Sequence, residues 1–334
     1  MSQEAERGAT LLNVEELSVE VLTSTGWTGV TDTVSFQLRR GEVMGLVGES
    51  GCGKSTTALA LMGLLPKASA RVASGTVWLD GTDLYSLSRR QWEDLRGDDI
   101  SMIFQEPMSS LHPAFTVGEQ IAESVRRHRD LGRRDAWQRA VALLEKVGMP
   151  EARARATCYP HEFSGGMLQR VLIAIALACE PKVLVADEPT TALDVTVQAQ
   201  ILDLLRSMGA EFDLSILLVT HDLDVVADIC DEVVVMYAGQ VVEQATVKEF
   251  LHAPRHPYSR ALLAGSRPDG DDSTELHWIP GAPPTPGALP PGCRFEPRCA
   301  HAHDRCRAEE IALQRHPDGS AHRCVLDLSA PRGE

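Results

Sequence analysis

A glycine-rich stretch near the N-terminus has the residue types and the spacing that bind a phosphate group. Residues 48–55 read Gly-Glu-Ser-Gly-Cys-Gly-Lys-Ser and fit the pattern G-x-x-x-x-G-K-[ST] between an apolar run and a helical pattern. Glycines let the backbone wrap around phosphate oxygens, and the following helix points its N-terminus at the anion. Lys54 would neutralise the outer phosphates, and the Ser55 hydroxyl would ligate Mg²⁺. The residues predicted to contact the nucleotide in this loop are Gly48, Glu49, Ser50, Gly51, Cys52, Gly53, Lys54, Ser55 and Thr56.

Two adjacent acids follow a second apolar run far downstream. Residues 183–186 are apolar and lead into Asp187 and Glu188. Asp187 is placed to hold Mg²⁺, and Glu188 could orient and activate a water against the γ-phosphate. This pattern is common by itself, but beside a phosphate loop it predicts nucleotide chemistry. Two acids favour a hydrolase over a kinase, because a hydrolase must orient a water.

A second candidate anion site precedes a helical pattern at residues 168–179. Ser164, Gly165, Gly166 and Met167 follow Phe163 and would present free backbone N–H groups at a helix start. A chain with one phosphate loop has no obvious need for two such sites, whereas two chains packed head to tail would complete each other's site. Here the sequence resembles the nucleotide-binding subunits of ABC transporters. Their signature loop usually reads L-S-G-G-Q, and this one reads F-S-G-G-M.

Further motifs match that family in order along the chain. Gln105 follows the apolar residues 100–104 as the Q-loop glutamine does, and His221 follows Val219-Thr220 as the switch histidine does. Ala192-Leu193-Asp194 stands where the D-loop does. The resemblance implies catalytic roles for Glu188, His221, Gln105 and Lys54, ATP contacts from Ser164, Gly165, Gly166, Met167, Gln105, Asp187 and Asp194, and Mg²⁺ ligation by Ser55, Gln105 and Asp187.

One position departs from the family pattern. The family usually stacks the adenine base on an aromatic residue at the end of an early strand, and by register that place falls on Val21. Trp27 lies a few residues further on and is a candidate substitute, with an ordinary loop tryptophan as the alternative. The departure concerns selectivity for the base and leaves the phosphate chemistry untouched.

These motifs need an alternation of strands and helices to position them, which is typical of α/β proteins. Strands are predicted at 11–22, 34–38, 42–47, 76–79, 100–104, 183–186, 216–220, 232–236 and 240–244. Helices are predicted at 56–64 and 195–208, and residues from about 117 to 179 are predicted to be mostly helical. The resemblance implies an α/β fold with a P-loop, RecA-like ABC ATPase core, an antiparallel β subdomain and a helical subdomain at about 106–180. It covers residues from about 11 to 265, so we predict a nucleotide-binding domain at 1–265 and a Pro-rich linker with a small irregular Cys-rich extension at 266–334.

Charge and composition differ between the two ends of the chain. The 334 residues carry a formal net charge of −15. Residues 1–254 account for −14 of it, whereas residues 255–334 are nearly neutral but hold 11 of the 19 prolines and 4 of the 8 cysteines. The acidic balance argues against an electrostatically driven nucleic-acid binder.

No part of the sequence predicts a membrane span or a secretion signal. The longest apolar run, Val171–Cys179, is far shorter than the roughly 20 residues that cross a bilayer. The N-terminus has no apolar signal region. We therefore expect a cytosolic protein with reduced thiols, in which clustered cysteines are ligands more often than disulfides.

Motifs near the C-terminus resemble one branch of the family, the dipeptide, oligopeptide and nickel importer ATPases. They are His256–Leu263, residues 105–113 with His112 where the branch commonly has Asn, and residues 279–284. The branch also has cysteines in a Gly-Cys-x-Phe-x-Pro-Arg-Cys setting, as found here at residues 292–299.

The four tail cysteines are candidate metal ligands. Cys293, Cys299, Cys306 and Cys324 have the spacing C-x5-C-x6-C-x17-C, without the C-x2-4-C pairs that zinc modules usually show. A segment with so little apolar periodicity needs a staple to hold a fold. We expect a 4Fe–4S cluster first and zinc second, with free thiols as the alternative. His301, His303 and His322 are other candidate ligands but are expected at the surface; Cys52, Cys158, Cys179 and Cys230 are expected to be packing or incidental residues.

The resemblance implies an ATP-hydrolysing subunit of an importer for dipeptides or oligopeptides, bound peripherally to the cytoplasmic face of the inner membrane. Its implied partners are two integral membrane permease subunits, a second identical or homologous ATPase subunit and, indirectly, an extracytoplasmic substrate-binding protein. A nickel importer is the first alternative. A soluble ABC ATPase acting on nucleic acid or ribosomes is a weaker one, since this chain has one cassette and an acidic body. An iron–sulfur sensor with a vestigial ATPase is disfavoured because Lys54, Ser55, Asp187, Glu188 and His221 are all present.

Overall fold

The protein is described by a computed structural model that covers residues 8–191, 193–266 and 279–326. Parts of the predicted organisation therefore lie outside the described residues, namely residues 1–7, Ala192 of the predicted D-loop, residues 267–278 of the linker and residues 327–334 of the tail. The described residues form two compact units. The first contains Arg39–Glu42 and Ser86–Leu218, and the second contains Thr10–Leu38, Val43–Tyr85 and the chain from Val219 onwards.

Strands and helices alternate along most of the chain. The strands are β1 (Thr10–Thr23), β2 (Gly26–Arg39), β3 (Val43–Val47), β4 (Ala70–Leu79), β5 (Thr82–Asp83), β6 (Ile100–Ile103), β7 (Val183–Asp187), β8 (Ser215–Thr220), β9 (Glu232–Tyr237), β10 (Gln240–Thr246), β11 (Gln314–Arg315) and β12 (Ala321–His322). The α-helices are α1 (Lys54–Leu61), α2 (Arg89–Leu95), α3 (Pro107–Ser110), α4 (Val117–His128), α5 (Arg133–Lys146), α6 (Ala152–Arg155), α7 (Gly165–Ala176), α8 (Val195–Phe212), α9 (Leu223–Ile229), α10 (Val247–His252), α11 (Pro257–Ser266) and α12 (Asp304–Ala308).

The first unit contains parallel strands and most of the helices. β6 and β7 pair in parallel, with Ile100 opposite Val183 and Ile103 opposite Ala186. β7 is buried along its whole length, as expected for a strand covered on both faces. Helices α4, α5 and α7 supply the helical part, and α4 begins at a capping box formed by Thr116 and Glu119. This arrangement places Gln105 and the pair Asp187-Glu188 after the carboxyl ends of neighbouring parallel strands.

The second unit contains two sheets. One has the order β2-β1-β4-β5, and β4 pairs with β1 and β5 in antiparallel fashion. The other runs β11-β12-β10-β9-β3, in which only the β3–β9 pairing is parallel among these strands. The hairpin between β9 and β10 turns at Ala238-Gly239, where both residues have positive φ, as the tight primed turn requires.

The cysteine-rich tail shares the core of the second unit. Phe295 is 3% exposed, and its ring centroid lies 5.2 Å from that of Tyr237 and 5.3 Å from that of Tyr258. In addition, β12 pairs with β10. Burial of Phe295 among aromatic rings is a large apolar contribution to holding this segment in place. The expectation that the tail needs a metal staple because it lacks a core of its own was therefore incomplete.

The predicted elements are found with corrected ends. β2 begins at Gly26, eight residues before the predicted start at Val34. Residues 26–33 form a strand although their sequence shows no apolar alternation. α7 begins at Gly165, so the signature glycines lie inside the helix and not before it. No strand or helix prediction covered β5, α2, α3, α9, α10, α11, α12, β11 and β12. Within the described ranges, every helix is too short or too polar to cross a membrane.

Candidate functional site

The phosphate loop connects the buried strand β3 to helix α1. Gly53 caps the helix with φ of 104°, and Gly48 has φ of 150°. A Cβ atom on Gly48 would lie 2.2 Å from the carbonyl oxygen of Met236, so only glycine fits this position. The loop carbonyl of Cys52 accepts a hydrogen bond from the Gly239 amide over 2.9 Å. The local sequence thus forms the close turn that leads the chain to a helix N-terminus.

Lys54 reaches back across this loop. Its side chain is buried, and Nζ donates to the carbonyl oxygens of Gly48, at 2.6 Å, and Glu49, at 3.2 Å. Ser55 and Thr56 follow in the first turn of α1. The two hydrogen bonds from Nζ hold the Lys54 ammonium group against the loop. The free N–H groups at the N-terminus of α1 lie in the turn that begins at Lys54.

Glu188 and Gln105, predicted from separate motifs, meet in the first unit. Glu188 has φ of 47°, a left-handed backbone that side-chain residues adopt rarely. Its Oε2 atom accepts hydrogen bonds from Gln105 Nε2 at 2.8 Å and from Thr191 Oγ1 at 2.9 Å. Asp187 immediately before it is buried. Thr191 was not predicted from the sequence, although a hydroxyl three residues after an acid is a recognisable signal.

The signature residues form the first turn of α7. Ser164 is the N-cap, and within the described part of the chain its exposed side chain makes no capping hydrogen bond. A Cβ atom on Gly166 would lie 2.5 Å from Val197 Cγ1, so this glycine allows close packing against α8. Met167 lies one position further into the helix.

Asp194 and His221 follow the motifs predicted for them. Asp194 caps α8 by accepting a hydrogen bond from the Val197 amide at 2.9 Å. His221 is exposed directly after β8, and the Asp222 amide next to it donates to Thr220 Oγ1 at 3.0 Å. Both residues therefore stand at ends of regular elements, where a side chain can reach a ligand.

Trp27, the candidate substitute for an aromatic residue at the position of Val21, packs against Arg71. The Arg71 guanidinium lies 4.3 Å from the centroid of the Trp27 ring and pairs with Glu20 at 2.7 Å. Glu20 lies opposite Arg71 in the β1–β4 pair, while Val21 lies opposite Ala70. Successive strand residues point to opposite faces, so Trp27 packs on the face away from Val21.

The four tail cysteines converge. All of them line one cavity of about 10 Å³, together with His256, Phe295 and His301. His256 is 1% exposed, and its Nε2 atom has no hydrogen-bond partner among the described residues. Four thiols around one cavity are a donor set suited to a metal centre or a sulfur-containing cluster, and the Nε2–H group of His256 could donate to a sulfur atom there.

The spacing of these thiols is not that of a bound metal. Within residues 8–191, 193–266 and 279–326, the structure arranges no group of three or more His, Cys, Asp or Glu side chains to hold a metal ion. The cavity has the volume of about one water-sized sphere. Burial raises the pKa of Cys293 to about 11 and also raises the pKa values of Cys299 and Cys324. Loading a metal would therefore require the side chains to move and to lose protons.

The other candidate ligands are placed differently. His301 is exposed but lines the cavity, whereas His303 is half-buried and does not line it. The prediction of a surface position is wrong for His322, which is 1% exposed and hydrogen-bonded to His316 at 2.8 Å. β12 carries His322 into the sheet, which explains its burial. The four cysteines outside the tail are free thiols. Cys52 and Cys179 are buried, and Cys158 and Cys230 are half-buried.

Comparison with known sequences gives two family matches and several full-length relatives. The family described as ABC transporter matches residues 31–191, and the family described as oligopeptide/dipeptide transporter, C-terminal region, matches residues 242–306. The oligopeptide transport ATP-binding protein AppD of Bacillus subtilis (strain 168) is 47% identical over 95% of this chain and 97% of its own length. The dipeptide transport ATP-binding protein DppD of Escherichia coli (strain K12) is 46% identical, with coverage of 95% and 97%.

Solved structures agree with these matches. A dimeric ATP-binding cassette in a post-hydrolysis state bound to ADP and Pi has a TM-score of 0.64 and 25% identity, and covers 71% of this chain and 99% of its own. The cbiO1 protein of Clostridium perfringens, part of the ABC transporter complex cbiONQ, has a TM-score of 0.61 and 31% identity, with coverage of 72% and 90%. The α/β fold with an ABC ATPase core is thereby confirmed.

Proposed function

Because the chain belongs to the ABC transporter ATP-binding proteins, in the family of oligopeptide and dipeptide transport, we propose that it powers the import of short peptides. It is an ATP hydrolase whose activity is coupled to transport. The observation that carries the peptide cargo is likeness over nearly the full length to peptide transport ATP-binding proteins. The match to the oligopeptide/dipeptide C-terminal region supports the same cargo and does not favour nickel.

In this proposal the predicted residues have separate tasks at the nucleotide. The loop from Gly48 to Thr56 would surround the phosphates, and Lys54 would neutralise their charge. Ser55, Gln105 and Asp187 would ligate Mg²⁺. Glu188 orients and activates the attacking water. The two hydrogen bonds that Glu188 accepts support this task, because they fix the direction of its carboxylate. His221 is assigned to the γ-phosphate.

A second ATPase subunit would complete each site. Ser164, Gly165, Gly166, Met167 and Asp194 are assigned to the ATP of the partner subunit. The Ser164 hydroxyl, which makes no capping hydrogen bond within the described residues, and the N-terminal N–H groups of α7 support an anion at this place. The dimeric form of a similar cassette bound to ADP and Pi supports such a pair. Closure of the dimer would assemble the donors around the γ-phosphate.

The membrane partners are assigned to the surface beside Gln105. Phe104, Met108 and Phe115 are 39%, 58% and 49% exposed, which is unusual for large apolar side chains lying close together in sequence. We assign this surface to the two permease subunits. The protein would then work peripherally at the cytoplasmic face of the membrane, with a substrate-binding protein acting indirectly through the permeases and no nucleic acid involved.

Reconstitution with the permeases tests this function. We expect the ATPase rate of the complex in liposomes to rise several-fold when a binding protein loaded with a di- or oligopeptide is added, because cargo favours the closed dimer. The same complex with Ni²⁺ in place of peptide is the control. Stimulation by Ni²⁺ alone would contradict the peptide cargo. Stable association of the chain with ribosomes and not with permeases would contradict the transport function.

We further propose that the four tail cysteines hold a metal centre, with a 4Fe–4S cluster first and zinc second. Convergence on one cavity supports this assignment, as does the unpaired Nε2 atom of His256, which would donate to a cluster sulfur. When bound, the centre would supply a cross-link between Cys293, Cys299, Cys306 and Cys324. A structural role is favoured over iron or redox sensing, because the segment is part of the core of its unit.

Anaerobic purification tests the metal centre. We expect a brown protein with a charge-transfer absorption band and about four irons per chain. Cys306→Ser should lose the band, whereas Cys158→Ser, which changes a thiol outside the tail, should keep it. A colourless protein with stoichiometric zinc would contradict the cluster and assign the metal centre as zinc. Protein with neither metal would contradict the proposal.

A further inference from the structure

Glu49, the second residue of the phosphate loop, is held by two residues from the C-terminal part of the chain. The guanidinium of Arg298 donates from Nη1 to Oε2 of Glu49 at 2.6 Å and from Nη2 to Oε1 at 2.9 Å. The backbone N–H of Glu49 donates to the hydroxyl of Tyr258 at 2.9 Å. Both the carboxylate and the amide of this loop residue are therefore fixed from outside the loop.

Arg298 is itself rigidly placed. Its side chain is 5% exposed. Besides Glu49, it donates to the carbonyl oxygens of Pro280, at 2.9 Å, and Ile279, at 3.2 Å, and to the Tyr237 hydroxyl at 3.2 Å. A bidentate, largely buried arginine–carboxylate pair is a strong and geometrically specific contact. Glu49 is thus paired with a charge whose position is set by several other groups.

The charge of Glu49 makes this contact consequential. A carboxylate in a loop that surrounds phosphate groups would repel the ligand if it were unpaired or turned inward. The ion pair with Arg298 neutralises it and engages both of its oxygens. Lys54, whose Nζ donates to the carbonyl of the same Glu49, is positioned by the same segment of backbone.

The contact also connects the loop to the cysteine-lined cavity. Arg298 precedes Cys299, and Tyr258 lies two residues after His256; both Cys299 and His256 line that cavity. Phe295 packs against Tyr258 and Tyr237 and joins the two contacts through one aromatic cluster. A change in the tail that displaces residues 295–299 would therefore reach Glu49 directly.

We propose that Arg298 is a positioning residue of the ATP site, which neutralises Glu49 and holds the phosphate loop in its binding shape, so that ATP affinity depends on the folded tail. The inference rests on ATP binding at the phosphate loop. Arg298 acts through Glu49 and needs no contact with the nucleotide. Its loss should weaken ATP binding and leave turnover at saturating ATP nearly unchanged.

The test compares Arg298→Ala with Arg307→Ala in the full chain. Arg307 is a tail arginine that also pairs with a glutamate, Glu296, at 2.7 Å, but it is 62% exposed. We expect Arg298→Ala to raise the Kd and KM for ATP about tenfold, a typical coupling between sites, with kcat within about twofold of wild type. Arg307→Ala should change none of these values. Equal KM in Arg298→Ala and wild type would overturn the inference.

A rescue variant separates this role from a merely structural one. If Arg298 neutralises Glu49, then Glu49→Gln added to Arg298→Ala should return the KM to within about threefold of wild type. A KM that stays raised, with the double variant folded, would overturn the inference. Should Arg298→Ala not fold, Arg298→Lys keeps the charge without the bidentate contact and should raise the KM about threefold, again reversed by Glu49→Gln. An unchanged KM in Arg298→Lys, or no reversal, would then overturn it.

The ATP site itself is tested separately by Lys54→Ala. Unweakened ATP binding by that variant would contradict the assignment of the phosphate loop. Weakened binding in Lys54→Ala, together with normal binding in Arg298→Ala, would contradict only the role of Arg298.

Discussion

Glu188→Gln is expected to lower steady-state ATP hydrolysis about 100-fold or more while leaving ATP binding intact. The carboxylate is the assigned base, and positioned general bases typically contribute 10²–10⁴-fold. Glutamine keeps the size of the side chain, and its amide oxygen can still accept from Gln105 Nε2 or Thr191 Oγ1, so the site should keep its shape. ATP turnover by phosphate release and ATP affinity by equilibrium binding measure the two effects.

The blocked variant should also accumulate a closed dimer in the presence of ATP, visible by size-exclusion chromatography. The matched control is Glu180→Gln, an exposed acid of the same unit that pairs with Arg139. An exposed ion pair contributes little, so its loss should leave hydrolysis unchanged. Wild-type turnover in Glu188→Gln would contradict the role of Glu188 in this chain.

Phe295→Ala is expected to lower the free energy of unfolding by about 3–5 kcal/mol, the usual cost of removing a buried phenylalanine. The ring is 3% exposed and lies among Tyr237, Tyr258 and the imidazole of His256, whose centroid is 5.9 Å away. Its loss would leave a cavity between the tail and the rest of the unit. Denaturant unfolding of the full chain, followed by near-UV circular dichroism and by fluorescence, measures the change.

Phe115→Ala removes the same ring from a position that is 49% exposed and serves as the control. We expect a change within about 0.5 kcal/mol there, as for surface substitutions in general. A loss below about 1 kcal/mol in Phe295→Ala would show that the tail contributes little to the core of its unit. It would also weaken the argument that the tail sets the position of Tyr258 and Arg298.

The site motifs were predictable because their chemistry depends on residues close together in sequence. The loop of residues 48–55 forms its turn from its own glycines and is followed by its own helix, so its spacing is sufficient to recognise it. The acids Asp187 and Glu188 were predictable for the same reason, because they directly follow an apolar run. Most strands and helices of the cassette were also predictable, because a hydrophobic period is local. The early start of β2 was not predicted, because its first residues show no apolar alternation.

Contacts between distant segments could not be predicted in this way. Gln105 and Glu188 are 83 positions apart, and Arg298 and Glu49 are 249 apart. The face of the sheet on which Trp27 packs depends on strand register. A shift of the register by one residue would place Trp27 on the opposite face. The buried position of His322 follows from the pairing of β12 with β10.

The sequence by itself therefore determined the family, because its motifs, the phosphate loop and the paired acids among them, are short consecutive stretches. The tertiary structure decided that the cysteine-rich tail is part of a shared core, that its four thiols line one cavity, and that its Arg298 pairs with Glu49 of the phosphate loop. These features depend on packing between segments with no common sequence pattern. Only the folded chain brings such segments within contact distance.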